Sequence, residues 1–317
     1  MATKHHREID QQKLPSRAWI GESTSSPRIA PIARSWAALE NSNFSAHRPV
    51  VDPEFRFEVP RKVSNKISYE QPLNERIRTF LRLDFMLQQL HATLEGTTTW
   101  DSRATLATLL DLQAVFSRAD IKAEIMKELE RLGSVLQKLC ENPHVDGRKL
   151  ATILDEIDTY NDRLHAMTGP IGQDLKNVEW LSAIRQRTSI PGGACPFDLP
   201  SYHFWLEQTA EQRIHDLKEW ARSFELPMRA AQLAVRLIRD SSPRSQEVAV
   251  GGFYQQTLDP GTPCQMVRVT VPADCPYYAE ISGGKHRFVV RFMQLHMDMR
   301  DTQASEDVPF QLTCATL

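Results

Sequence analysis

Arg287 and Arg291 stand four residues apart in a segment where Phe288, Val290 and Phe292 alternate with them. In an extended strand that spacing sends both guanidinium groups to one side, with Val289 between them, and the three apolar residues to the other. Lys285 shares the parity of the arginines, at a turn. Arg268 occupies the polar side of a second alternating segment, whose apolar side is Val267, Val269 and Val271. Guanidinium groups grip carboxylates bidentately, so cations set around an apolar patch suit a short acidic peptide. If the two strands are neighbours, these cations share one sheet face. Arg185 and Arg187 add a second, weaker basic site beside the turn Pro191-Gly192-Gly193. The competing reading is an ordinary solvated strand face, where arginine is common.

Signals for catalysis are nearly absent. The sequence has no HExxH, GxSxG or GxxxxGK[ST] motif and no glycine fingerprint opening a βαβ unit. In Ile190-Pro191-Gly192-Gly193-Ala194-Cys195, the glycines could present N–H groups to an anion and Cys195 could act as a nucleophile, with His203 eight residues on. A turn next to a small buried thiol explains the segment more simply. His91 falls on the apolar side of its helix and reads as a core or interface histidine. His286 and His296 flank the Phe288–Phe292 strand without the cysteines or carboxylates that would complete a metal site. Asp84, a lone acid among apolar residues, reads as the partner of an arginine. No cofactor is expected.

The composition agrees with a soluble protein. The 317 residues carry 38 basic and 40 acidic side chains, and the near-neutral balance gives no global reason to expect nucleic acid as partner. The five cysteines are scattered and form no CxxC pair, which predicts reduced thiols and a cytoplasmic protein. No apolar run is long enough for a transmembrane helix, so direct membrane insertion is not expected. Residues 1–66 hold 11 basic and 7 acidic side chains with scattered Ser and Pro, and are expected to be mostly disordered, with one short helix near Trp36.

The elements that must position the cations follow from periodicity. Residues 67–243 read as a helical domain and 244–317 as a β domain. Pro72 is expected in the first turn of a helix running through Leu94, whose apolar residues cover more than half of the wheel. Residues 104–116 make a second helix. Ile121, Ile125, Leu129, Leu132, Leu136 and Leu139 form a near-heptad seam on a third, and a fourth follows Asp146. A shorter helix is expected near 173–186, and two more at 208–223 and 227–240. From residue 248 the period changes to two, and Gly251-Gly252, Asp259-Pro260-Gly261 and Ser282-Gly283-Gly284 supply turns. Without βαβ alternation the sheet is expected to be antiparallel. The fold class is therefore α+β, with an N-terminal helical bundle before a C-terminal antiparallel β domain.

Five ordered segments resemble the ZapD family of bacterial cell-division proteins: YEQPLNERIRTFLRLDFMLQQL at 69–90, VFSRADIKAEIMKELER at 115–131, IRQRTSIPGGACPFDLPSYHFWL at 184–206, GGFYQ at 251–255 and ISGGKHRFVVRFM at 281–293. The resemblance spans roughly residues 67–317. It implies a non-enzymatic homodimer at the midcell division ring that binds the C-terminal tail of FtsZ through a basic pocket and crosslinks FtsZ protofilaments into bundles. By motif position, Lys285, Arg287 and Arg291 would carry tail binding, with Arg185 and Arg187 as further contributors; Arg268 is added on strand parity alone. It also suggests that surplus apolar surface on the 73–94 helix, and the 121–139 seam, could join two copies. Two departures stand out: residues 1–66 extend beyond shorter members, and Pro196 follows Cys195. The alternative function is an adaptor that binds another acidic peptide through the same sheet face. A third is a hydrolase or redox protein centred on Cys195.

Overall fold

A computed structural model describes residues 65–118, 120–140, 142 and 145–317. The expected N-terminal extension and its short helix lie outside the described residues, except for Asn65 and Lys66. Lys66 already belongs to a strand, β1 (Lys66–Pro72). Eight helices follow: α1 (Glu75–Thr93), α2 (Thr99–Arg118), α3 (Ile121–Gln137), α4 (Gly147–Ala166), α5 (Gln173–Asn177), α6 (Glu179–Thr188), α7 (Pro200–Leu206) and α8 (Ala210–Asp240). Then come β2 (Ser245–Ala249), β3 (Phe253–Thr257), β4 (Met266–Pro272), β5 (Tyr277–Gly283), β6 (Arg287–Gln294), β7 (Thr302–Gln303) and β8 (Val308–Ala315). The order of helices before antiparallel strands is that of an α+β fold.

Two boundaries differ from the sequence reading. Pro72 does not start a helix but closes β1, an edge strand, where its missing N–H leaves no central ladder bond unmade. The helix starts at Glu75, because Asn74 caps it: the Asn74 Oδ1 accepts from the Ile77 N–H at 2.9 Å. The expected pair of helices at 208–223 and 227–240 is one helix of 31 residues, with Pro227 inside it. Proline within a helix forfeits one backbone bond and costs about 3 kcal/mol. Phe224, Met228, Ala231, Leu233, Ala234 and Leu237 are all buried along this stretch, and that packing keeps α8 continuous.

The helical core explains the apolar excess of α1. Ile77, Phe80, Leu83, Leu87 and Leu90 are fully buried, and α1 packs against both α2 and α8. The seam of α3, from Ile121 to Leu139, is likewise buried, with α4 and α8 packed on α3. The α3 seam is thus consumed within one chain, whereas Phe85 on α1 stays 61% exposed.

The strands form two sheets. One has the order β1-β4-β8-β2; the other has β3-β6-β5, with β7 pairing to β6, and all pairings are antiparallel. Val267, Val269 and Val271 of β4, Phe288, Val290 and Phe292 of β6, and Phe310 and Leu312 of β8 share one apolar core between the sheets. Met266 and Ala315 belong instead to the helical core. The first sheet is thus the middle layer, with helices on one face and the second sheet on the other.

Arg239, in the last turn of α8, ties the helices to the middle layer. Its Nε and Nη2 donate to the two carboxylate oxygens of Glu70 on β1 at 2.9 and 2.8 Å, and Nη1 donates to Asp84 Oδ2 on α1 at 2.8 Å. Asp84 is buried. It is, as expected, the partner of an arginine.

Candidate functional site: the outer face of the second sheet

Because Phe288, Val290 and Phe292 face the core, Arg287, Val289, Arg291 and Met293 must face outward. The register completes the surface. Phe253 and Glu280 flank Arg291, Gln255 and Ser282 flank Val289, Thr257 lies beside Arg287, and Tyr278 and Gln303 flank Met293. Lys285 sits at the tip of the β5–β6 hairpin, which closes with the Gly284 N–H donating to the Arg287 carbonyl at 3.0 Å. Gly283 is required there. A Cβ on it would lie 2.8 Å from Phe288 Cβ and 2.9 Å from Leu73 Cδ2, where the hairpin meets the entry to α1.

Lys285, Arg287 and Arg291 are exposed, and none makes an ion pair with a described residue. Glu280 is the cross-strand neighbour of Arg291, yet its near polar partner is the Tyr278 hydroxyl at 3.5 Å. Three cations around Val289, Phe253 and Met293 are arranged to hold carboxylates while an apolar side chain lies between them. Phe253, Met293 and Tyr278 did not emerge from the sequence reading of the site. The alternation of Phe253, Gln255 and Thr257 in β3 was the available signal, but only the pairing of β3 with β6 brings Phe253 beside Arg291.

The other three sequence-predicted cations lie elsewhere. Arg268 belongs to β4, in the other sheet, and faces the helical layer. Its Nε lies 3.6 Å from Glu70 Oε1, and burial pushes the guanidinium below its ordinary value, with Glu70 opposing that shift. Arg268 and Arg287 therefore do not share a face. Arg185, on α6, donates to Gln113 Oε1 at 2.7 Å, and Arg187 pairs with Asp198 at 3.6 Å. Both belong to the helical layer.

The Pro-Gly-Gly segment is a wound turn. The Gly193 N–H donates to the Ile190 carbonyl at 2.9 Å and the Leu199 N–H to the Cys195 carbonyl at 3.0 Å. His203 lies 3.7 Å from Glu207. Among the described residues no group of three or more His, Cys, Asp and Glu side chains could hold a metal ion, and no helix is long and apolar enough to cross a membrane.

A second exposed surface lies on the helical layer. Arg103 stands 5.5 Å from the Trp100 ring and 4.9 Å from the Tyr202 ring, and donates to the Ala194 carbonyl at 3.4 Å. Buried Arg213 donates to Thr97 O at 2.7 Å, Ser102 Oγ at 3.0 Å, Leu206 O at 3.1 Å and Gln208 O. These two arginines bolt the start of α2 to the 194–208 segment. The same stretch leaves Trp100, Phe197 and Phe204 largely exposed. Arg187 pairs with Asp198 at its rim.

Residues 81–291 match the family model of ZapD, a cell division protein. A cell division protein ZapD from Methylococcus capsulatus is 46% identical over 255 residues, covering 80% of this chain and all of the relative. Its counterpart from Aromatoleum aromaticum is 41% identical over 252 residues, covering 79% of this chain and 98% of the relative. One from Coxiella burnetii is 37% identical over 257 residues, covering 80% and 100%.

Proposed function

The chain belongs to the ZapD family of cell division proteins, and from that premise we propose that it binds the C-terminal tail of FtsZ and crosslinks FtsZ protofilaments at the division ring. The observation that carries the reading is the set of three exposed cations, Lys285, Arg287 and Arg291, without an ion pair among the described residues. Here the strand faces an incoming ligand with unspent donors, and bidentate contacts to tail carboxylates satisfy them.

Crosslinking needs two such faces in one particle, and a homodimer supplies them. Phe85 on α1 and the exposed Trp100, Phe197 and Phe204 offer apolar surface for that contact. Each tail contact is then weak by itself, and the polymer multiplies it. No catalytic step enters this mechanism; its output is the spacing of two binding faces.

Low-speed co-sedimentation with GTP-polymerised FtsZ, with and without its C-terminal tail, tests the reading. Bundles should pellet only with intact FtsZ. Pelleting with both forms would discard the tail as the ligand, and pelleting with neither would discard the crosslinker.

A further inference from the structure

The outward row of β6 does not stop at Met293. The chain leaves the strand through Leu295, Met297 and Met299, which are 57%, 87% and 67% exposed. Three large apolar side chains within five residues, all facing water, form a patch of the kind that marks interaction sites. Methionine adapts its shape to varied apolar partners better than branched residues do.

This segment is pinned in place, and on a definite side. Asp301 Oδ1 accepts from the His296 N–H at 2.9 Å, and Oδ2 accepts from the Tyr278 hydroxyl at 2.6 Å. His296 Nε2 and Thr302 Oγ1 are 3.0 Å apart. Tyr278 is cross-strand from Met293 and adjoins the core residue Ala279, so its ring lies on the outer face of the sheet. The hairpin is therefore fastened to the face that bears Arg287 and Arg291, not to the core side. The clamp keeps its charge state near neutrality. The Tyr278 hydroxyl, then the His296 N–H, hold the Asp301 carboxyl below its usual range, and Asp301 pushes Tyr278 up to about 12.

We infer that Leu295, Met297 and Met299 form an apolar ledge that receives the apolar side chains of the same acidic peptide whose carboxylates engage Lys285, Arg287 and Arg291. The inference rests on the proposed tail-binding reading and names the half of the site that charge alone does not supply. Arg287 to Met293 spans roughly 20 Å of strand, the length of about six extended residues. A peptide lying along it meets the cations first and the ledge last. Charge favours an acidic occupant: Lys285, Arg287, Arg291 and Arg300 outnumber Glu280 and Asp298 around the surface, and Asp301 is already engaged by Tyr278. Ion contacts weaken with salt, whereas apolar contacts do not.

Fluorescence anisotropy with a labelled synthetic FtsZ-tail peptide, and with a version whose apolar residues are serine and whose acids are kept, separates the two halves. The triple variant Leu295→Ser/Met297→Ser/Met299→Ser should bind the natural peptide about tenfold more weakly at both low and high salt. It should bind the serine peptide as the wild type does. Met297→Ser alone should show about a threefold loss and serves if the triple variant is not folded by circular dichroism. Unchanged binding of the natural peptide, or equal losses for both peptides, would overturn the ledge while leaving the basic face intact. Failure of the wild-type chain to bind the natural peptide would instead overturn the tail-binding reading, and the ledge with it. Loss of sedimentation with phosphatidylglycerol vesicles, without loss of peptide affinity, would assign the ledge to a membrane and overturn the inference.

Discussion

Arg268 on β4 and Arg291 on β6 both alternate with apolar residues that enter the same sandwich core, and both have a glutamate directly across the strand. Their surroundings differ. Outside β4 lies the helical layer, where Glu70, Arg239 and Asp84 are drawn into one network and Arg268 is partly desolvated. Outside β6 lies water, and Arg291 keeps its donors. The outer face of the middle sheet has become internal structure, while that of the second sheet stays open to solvent. The same local pattern serves cohesion in one place and, on the proposed function, recognition in the other, and the layer that covers it decides which.

The largest effect that would test this contrast is on the cohesive side. Arg239→Ala leaves buried Asp84 and half-buried Glu70 without their shared cation, a loss of about 3–5 kcal/mol. Urea unfolding should show it as a lower midpoint with little change in slope. A loss below about 1 kcal/mol would mean that the network does not hold the layers together. On the recognition side, Arg287→Glu/Arg291→Glu should reduce affinity for the tail peptide at least about 100-fold, equivalent to about 2.7 kcal/mol. Its unfolding midpoint should stay near that of the wild type, because neither guanidinium has an ion-pair partner among the described residues. Destabilisation comparable to Arg239→Ala would show that the two faces are not functionally divided.

The smallest effect extends the contrast into the helical layer. Burial, reinforced by Arg229, pulls the His91 imidazole down from 6.5 to about 4. The folded chain therefore holds His91 neutral where the unfolded chain would already take up a proton. Its contribution is complete above pH 6.5 and is lost as pH falls from 6.5 toward 4, on the order of 1–3 kcal/mol. His91→Gln should flatten the pH dependence of stability across that window. An unaltered slope would assign the acid sensitivity to other groups.

Much of this was legible beforehand, for reasons that particular residues make clear. The α3 seam from Ile121 to Leu139 and the outward parity of Arg287 and Arg291 follow from backbone periods of 3.6 and 2, which no distant contact alters. Asp84 invited an arginine because an unpaired carboxylate among apolar residues is costly. Less legible were β1, whose short polar sequence resembles a helix entry, and the continuity of α8 through Pro227. In the candidate site, the cations of β6 were visible, whereas Phe253 and the Met297–Met299 ledge were not. Phe253 depends on β3–β6 pairing, and the ledge on a hydroxyl from another strand that fastens Asp301.

What the sequence determined by itself was the type of each element and the side of it on which each residue lies, because these are set by neighbours a few positions away. The tertiary structure decided which strands share a sheet, which apolar faces stay open, and which arginines remain uncommitted. Those outcomes depend on contacts such as Arg239 with Glu70, 169 positions apart, whose formation is governed by the packing of whole layers. No local period encodes that distance.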